Sequence, residues 1–286
     1  MFVETAKRAL LFYATNLPYH RGKWHVIERA LRSFGIESTD ASGIFECERQ
    51  GLKWRLDTRC AVQRRLYYHG ALDRYDEREF FSRIRPGAVM LDIGSYFGYY
   101  GLLSAKHGAK SFAFEPAGAN FADLKRQCEL NSELPISIFQ IAMSNQVGVS
   151  RMSVAAASQR GTGRIEADAG SDGKTSGATE SVTTTTLDTF VAEHNLERID
   201  AVKLDVEGAE MMVLAGGAKA FARWKPMLLI EFNPPCLQRF GVEPEKLLST
   251  LQEMGYRLRR ASHSGLAPFA GLLPSERYCN LLCLAE

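Results

Sequence analysis

From residue 89 to the end of the chain, short runs rich in apolar and β-branched residues alternate with segments of helical periodicity. That rhythm implies a mostly parallel sheet covered by helices, because each parallel connection needs a crossover long enough to hold a helix. Strands are expected at 89–93, 111–115, 136–142, 201–206, 227–232, 256–260 and 278–284. Helices are expected at 99–107, 120–131, 187–194, 209–214 and 244–254, and Pro234 with Pro235 should end the strand before them. The fold class is therefore α/β, with a main domain over 85–286. A smaller N-terminal α/β extension over 1–84 should hold a helix, a hairpin around Gln50-Gly51 and a lead-in helix at 77–83.

Two other features bound the function. Thirty-five basic residues face thirty-three acidic ones, a net charge of +2, so the chain lacks the polyelectrolyte signature of nucleic-acid binding. Six cysteines occur without a C-x-x-C pair or a Cys/His cluster, which points away from zinc and disulfides and towards a reducing cytoplasm. The apolar run at 9–14 is soon followed by Pro18, His20, Arg21 and Lys23 and no small-residue cleavage site, so it does not read as a leader. No stretch approaches about 20 uninterrupted apolar residues, so no membrane span is expected.

The chemistry concentrates in three places. Asp92-Ile-Gly94-Ser95-Tyr96-Phe-Gly98 directly follows an apolar strand and precedes a helix, and its glycines let the backbone turn sharply beneath a ligand. Glu115 ends the next strand before Pro116, where a carboxylate can accept hydrogen bonds from both ribose hydroxyls and repels a 2′-phosphate. Together they select an adenosine-containing cofactor. The spacing Gly94-x-x-x-Gly98-x-x-Gly101 is not the G-x-G-x-x-G of a dinucleotide site, and no phosphate-binding G-x-x-x-x-G-K-[ST] exists. The third place is Lys203-Leu-Asp205-Val-Glu207-Gly-Ala-Glu210, where strand periodicity puts Lys203, Asp205 and Glu207 on one side. Three charges ending an apolar strand are costly unless paired or used; a Lys203–Asp205 bridge with a solvated helix start is the structural alternative, and the position at the strand's end favours function.

Four stretches carry a resemblance to the FkbM family of methyltransferases: Val89-Met-Leu-Asp-Ile-Gly-Ser-Tyr-Phe-Gly-Tyr-Tyr, Phe114-Glu-Pro, Thr186-Leu-Asp188 and Lys203 to Glu210. The resemblance implies a Rossmann-like methyltransferase fold, with seven strands and an antiparallel last strand. It implies S-adenosyl-L-methionine as cofactor and methylation of a hydroxyl on a sugar or polyketide-like metabolite. Asp92, Gly94, Ser95, Tyr96, Gly98, Glu115, Pro116, Ala142, Asp205 and Glu207 are the expected cofactor residues.

Methyl transfer from a sulfonium needs the acceptor oxygen held in line and water excluded, and a hydroxyl must also lose its proton. Asp205 is the first candidate base and Glu231, ending the next strand, the second. A divalent metal on these two lacks a third clustered ligand, so none is expected. None of the six histidines lies at a strand end of the α/β core. A binding protein without chemistry and an adenine-dinucleotide oxidoreductase remain alternatives. Between the third strand and Thr186, residues 155–180 are dominated by Ala, Gly, Ser and Thr and read as a long insert, with hairpin arms at 149–154 and 181–186. It is either an inert excursion or a cover, and its position suggests the acceptor rather than the cofactor.

Overall fold

The computed structural model describes residues 2–16, 22–33, 43–153, 164–165 and 179–285. Most of the insert expected at 155–180 lies outside them. The chain divides into two compact units, one centred on Met1–Arg74 and the other on Tyr75–Ala155 with Thr162–Glu286.

In the first unit, α1 (Phe2–Asn16) and α2 (Lys23–Ser33) precede a hairpin of β1 (Ile44–Arg49) and β2 (Leu52–Asp57) and helix α3 (Ala61–His69). Arg49 pairs with Leu52, so the loop is Gln50 and Gly51 alone, both at positive φ (54° and 67°). Positive φ at both central residues is the turn whose twist suits a two-residue hairpin. Ile27, Leu31, Trp54, Leu56 and Leu66 are among the fully buried apolar side chains of this unit.

The second unit begins within α4 (Arg74–Phe81) and continues through β3 (Val89–Ile93), α5 (Tyr99–Lys106), β4 (Lys110–Phe114), α6 (Gly118–Leu130) and β5 (Ile136–Phe139). Next come the short strands β6 (Ala142–Met143), β7 (Gly148–Ser153), β8 (Arg164–Ile165) and β9 (Thr179–Thr185). Then follow α7 (Leu187–Glu193), β10 (Ala201–Leu204), α8 (Glu210–Gly216), α9 (Ala218–Trp224) and β11 (Met227–Phe232). Last are α10 (Pro234–Arg239), α11 (Pro244–Glu253), β12 (Tyr256–Ser262), β13 (Gly265–Pro268) and β14 (Cys279–Ala285).

The main sheet runs β13-β12-β14-β11-β10-β3-β4-β5. From β11 to β5 neighbours are parallel, and β14 runs antiparallel to both β11 and β12. This is the Rossmann-like methyltransferase fold. Where seven strands are expected the sheet has eight, because Ser262 and Gly265 close a hairpin that adds β13 at the edge. Strand order reverses at β3, from which β4 leads one way and β10 the other, so the crevice that such sheets use for ligands opens at the carboxyl ends of β3 and β10. Leu91, Ile93, Phe112, Phe114, Val202, Leu204, Leu228 and Ile230 are all buried in one core, as strands covered on both faces require.

Three differences from the sequence reading have local causes. The strand expected at 136–142 is two strands in two sheets: β5 ends at Phe139, and Ala142 and Met143 pair instead with Thr184 and Thr185 of β9. Helix α9 follows α8 directly after a Gly216-Gly217 break, where a Cβ at Gly216 would lie 2.0 Å from the Ser144 carbonyl oxygen. The Asp188 carboxylate accepts hydrogen bonds from the Lys219 and Ala220 amides, so it caps α9 while Thr186 caps α7 through the Thr189 amide. Pro234 and Pro235 do end β11, but they also open α10, since proline at the first helical position forfeits no bond.

Candidate functional site

After β3 the chain turns through Gly94 (φ 80°), Ser95, Tyr96 (φ 51°) and Gly98 (φ 86°) before α5 begins. The Gly94 and Ser95 amides both donate to the Phe114 carbonyl, which ties the turn to the end of β4. A Cβ on Gly94 would lie 1.8 Å from the Asp205 carbonyl oxygen, so only glycine lets the β3 turn and the end of β10 close on each other. The Ser95 hydroxyl is buried and has no hydrogen-bond partner among the described residues. An orphaned donor in a glycine-built cradle fits a polar ligand laid across the turn.

Asp92 lies beneath this turn, 2% exposed, and its Oδ2 accepts from the Gly101 amide at 2.7 Å. Burial pushes its carboxyl up to about 7. It therefore fixes the start of α5 from below. Glu115, also buried, holds the same turn from the β4 side: Oε2 accepts from the Tyr96 amide and Oε1 from the Ala117 amide, each at 2.9 Å. Burial pushes it up to about 7 against the pull of these amides. Pro116 is half-buried between Glu115 and Ala117, and Ala142 is buried in β6.

On the other side of β3, the strand expected to run through Val206 stops at Leu204. Asp205 continues its line by donating its amide to the Ile93 carbonyl, and the chain then bends at Glu207 (φ 55°) and Gly208 (φ 110°). That bend brings Asp205, Glu207 and Glu231 together, one carboxylate oxygen of each within 4.8 Å of the others. Strand periodicity put Glu207 on the side of Asp205, but the expectation that Asp205 and Glu231 lack a third clustered carboxylate is overturned, because the bend brings Glu207 to both. The bridge weighed from the sequence is present: Lys203 Nζ lies 3.0 Å from Asp205 Oδ2. The same ammonium approaches Asn280 Oδ1 at 3.4 Å and stands 5.4 Å from the Tyr100 ring centroid. Asn280 and its register partner Glu231 were invisible as neighbours in the sequence, since β14 arrives last and antiparallel.

The group is graded in exposure. The Glu231 residue is 8% exposed and Lys203 3%, whereas the Asp205 side chain is 36% exposed. Burial, then the charges of Asp205 and Glu207, push Glu231 up to about 9 despite Lys203. Glu210 is buried behind them and accepts from the Val206 and Gly208 amides, which makes it the brace of the bend. The arrangement sets a fixed cradle on one side of the switch point and, on the other, two partly exposed carboxylates, Asp205 and Glu207, backed by the buried acid Glu231.

The profile of the FkbM methyltransferase domain matches residues 92–258, a stretch that begins at Asp92 and takes in Glu115, Asp205 and Glu231. A comparison with curated proteins finds no match. Among solved structures, methyltransferase FkbM from Methylobacillus flagellatus is 16% identical with a TM-score of 0.48, covering 78% of this chain and 52% of that one, so the chain spans about half its length. A TehB-like S-adenosylmethionine-dependent methyltransferase from Corynebacterium glutamicum is 15% identical with a TM-score of 0.42, covering 79% of this chain and 96% of that one. The tRNA (uracil-54, C5)-methyltransferase of Pyrococcus abyssi, in complex with S-adenosyl-L-homocysteine, is 14% identical with a TM-score of 0.41, covering 84% of this chain and 43% of that one.

Proposed function

The chain belongs to the FkbM methyltransferase family and uses S-adenosylmethionine, and from that premise we propose that it methylates a hydroxyl of a sugar or other small metabolite with Asp205 as the base. The observation that carries this is the exposure of Asp205: it combines a backbone amide bonded to Ile93, a cationic partner in Lys203 and a side chain that is 36% exposed. Gly94, Ser95, Tyr96 and Gly98 would hold the cofactor's methionine side, Glu115 its ribose, and Ala142 would wall its base. When bound, the cofactor supplies an activated methyl group on sulfur. Asp205 accepts the acceptor's hydroxyl proton, Lys203 keeps that carboxylate oriented, and Glu231, protonated at neutral pH, offers a hydrogen bond to an acceptor oxygen.

Charge supports a small neutral acceptor over a nucleic acid, because Asp205 and Glu207 would repel a phosphodiester. It also disfavours a dinucleotide: the Gly101 amide at the start of α5, where a pyrophosphate would sit, is already taken by Asp92. Among the described residues no helix is long and apolar enough to cross a membrane. All six cysteines are free thiols, which supports a cytoplasmic setting.

The test is Asp205→Asn, assayed with labelled methyl donor against a panel of hydroxylated metabolites. Turnover should fall by roughly 10²–10⁴-fold while S-adenosylhomocysteine affinity stays within a few-fold. Full activity with only a lowered Tm would make Asp205 a structural partner of Lys203 and end the base assignment.

A further inference from the structure

Helix α6 starts without a capping side chain: its N-cap is Ala117, which cannot accept a hydrogen bond from the first turn. The acceptor comes instead from sixty-two residues away, where Glu180 of β9 takes the Gly118 amide at 3.2 Å and 3.4 Å on its two oxygens. One residue earlier, the Ala117 amide donates to Glu115. Successive amides at the start of α6 are thus held by two carboxylates, Glu115 just past β4 and Glu180 of β9. The stem of the insert is built onto the same place. Strands β7 and β9 pair from Gly148–Thr184 to Ser153–Thr179, and their inward residues Met152 and Val182 form a buried cluster with Ala117 and Ala142. Thr185 also accepts from the Ser144 amide, fastening β9 to the chain just past β6.

We propose that the β7–β9 stem walls the adenosine end of the cofactor and that Glu180 is a positioning residue for cofactor binding, acting through α6 on Glu115. The sequence reading put the insert over the acceptor; the packing of its stem against Ala117 and Ala142 points to the cofactor side. The proposal rests on the placement of the ribose at Glu115.

Three full-length variants test it: Glu180→Ala, which removes the acceptor; Glu180→Gln, which keeps an oxygen for the Gly118 amide; and Glu115→Ala as the control for the cofactor's position. By calorimetry, Glu180→Ala should weaken S-adenosylhomocysteine binding roughly fivefold, as for a lost helix cap, and Glu180→Gln should stay within about twofold of wild type. Hydrogen exchange at Gly118 should accelerate in the Ala variant only. In steady-state assays the KM for S-adenosylmethionine should rise with kcat and the acceptor's KM unchanged. A raised acceptor KM with unchanged cofactor KM would overturn the proposal. If Glu115→Ala weakens binding and Glu180→Ala does not, the cofactor's placement stands and the role of the stem alone falls. If neither variant changes affinity, the placement at Glu115 falls and takes the proposal with it.

Discussion

Gly94 shows how much of this site depends on the absence of an atom. Its φ of 80° is strained for any side chain, and the missing Cβ is the space into which the Asp205 carbonyl fits. Gly94→Ala should therefore cost about 4 kcal/mol or more, read as a large drop in Tm and loss of cofactor binding together. An unchanged Tm would mean that the turn shifts to admit the methyl group. Lys203 is the complementary case, a buried cation whose neighbours are mostly acids. Replacing it by Met leaves Asp205 without its partner, and because Asp205 is partly solvated the loss should be about 1–3 kcal/mol rather than the full cost of a buried unpaired charge. Since Lys203 pulls Glu231 down, the same variant should push Glu231 further up and move the alkaline limb of the pH–rate profile, where Glu231 loses its proton, to higher pH. A profile left in place by Lys203→Met would show that Glu231 does not take part in turnover.

The functional elements end where they must for their side chains to meet. Strand β10 stops at Leu204, so Asp205 and Glu207 are placed by a bend and not by strand periodicity. The bend is held by Glu210, which accepts from the Val206 and Gly208 amides, and by close packing, since a Cβ on Gly208 would lie 2.4 Å from the Cys236 carbonyl oxygen. Thr186-Leu-Asp188, a stretch that marks the family, is accounted for without chemistry: one residue caps α7 and the other caps α9. Two helices without a capping residue of their own borrow one, α9 from Asp188 and α6 from Glu180, which makes distant segments part of each helix's start.

Across the whole molecule, buried acids set the response to pH. Asp92, Glu115 and Glu210 are each pushed up to about 7, and Glu231 to about 9, chiefly by burial. Their ordinary values are 3.8 for Asp and 4.5 for Glu, so between those values and the raised ones the folded chain holds protons that the unfolded chain has released. Stability must then fall as pH rises across that window. The Tm of the cofactor-free protein should accordingly decline from about pH 5 to about pH 9. A Tm rising over that range would mean that these acids are ionised and well paired in the folded chain. Glu79 and Glu276, held down by arginines, act in the opposite sense but only below the ordinary carboxylate range.

Much of this was legible along the chain because it is local. The alternation of apolar runs with helical periods specified the α/β sheet, since strands covered on both faces are built mainly from apolar residues. The glycine turn and the acid after the next strand were also local signals, because positive φ favours glycine whatever surrounds the turn. What only the tertiary structure decided are the relations between segments remote in sequence: Glu207 meeting Asp205 and Glu231, Asn280 reaching Lys203, and Glu180 capping α6. Such contacts depend on how the strands are ordered and where each one ends, and a residue's own neighbours carry no record of either.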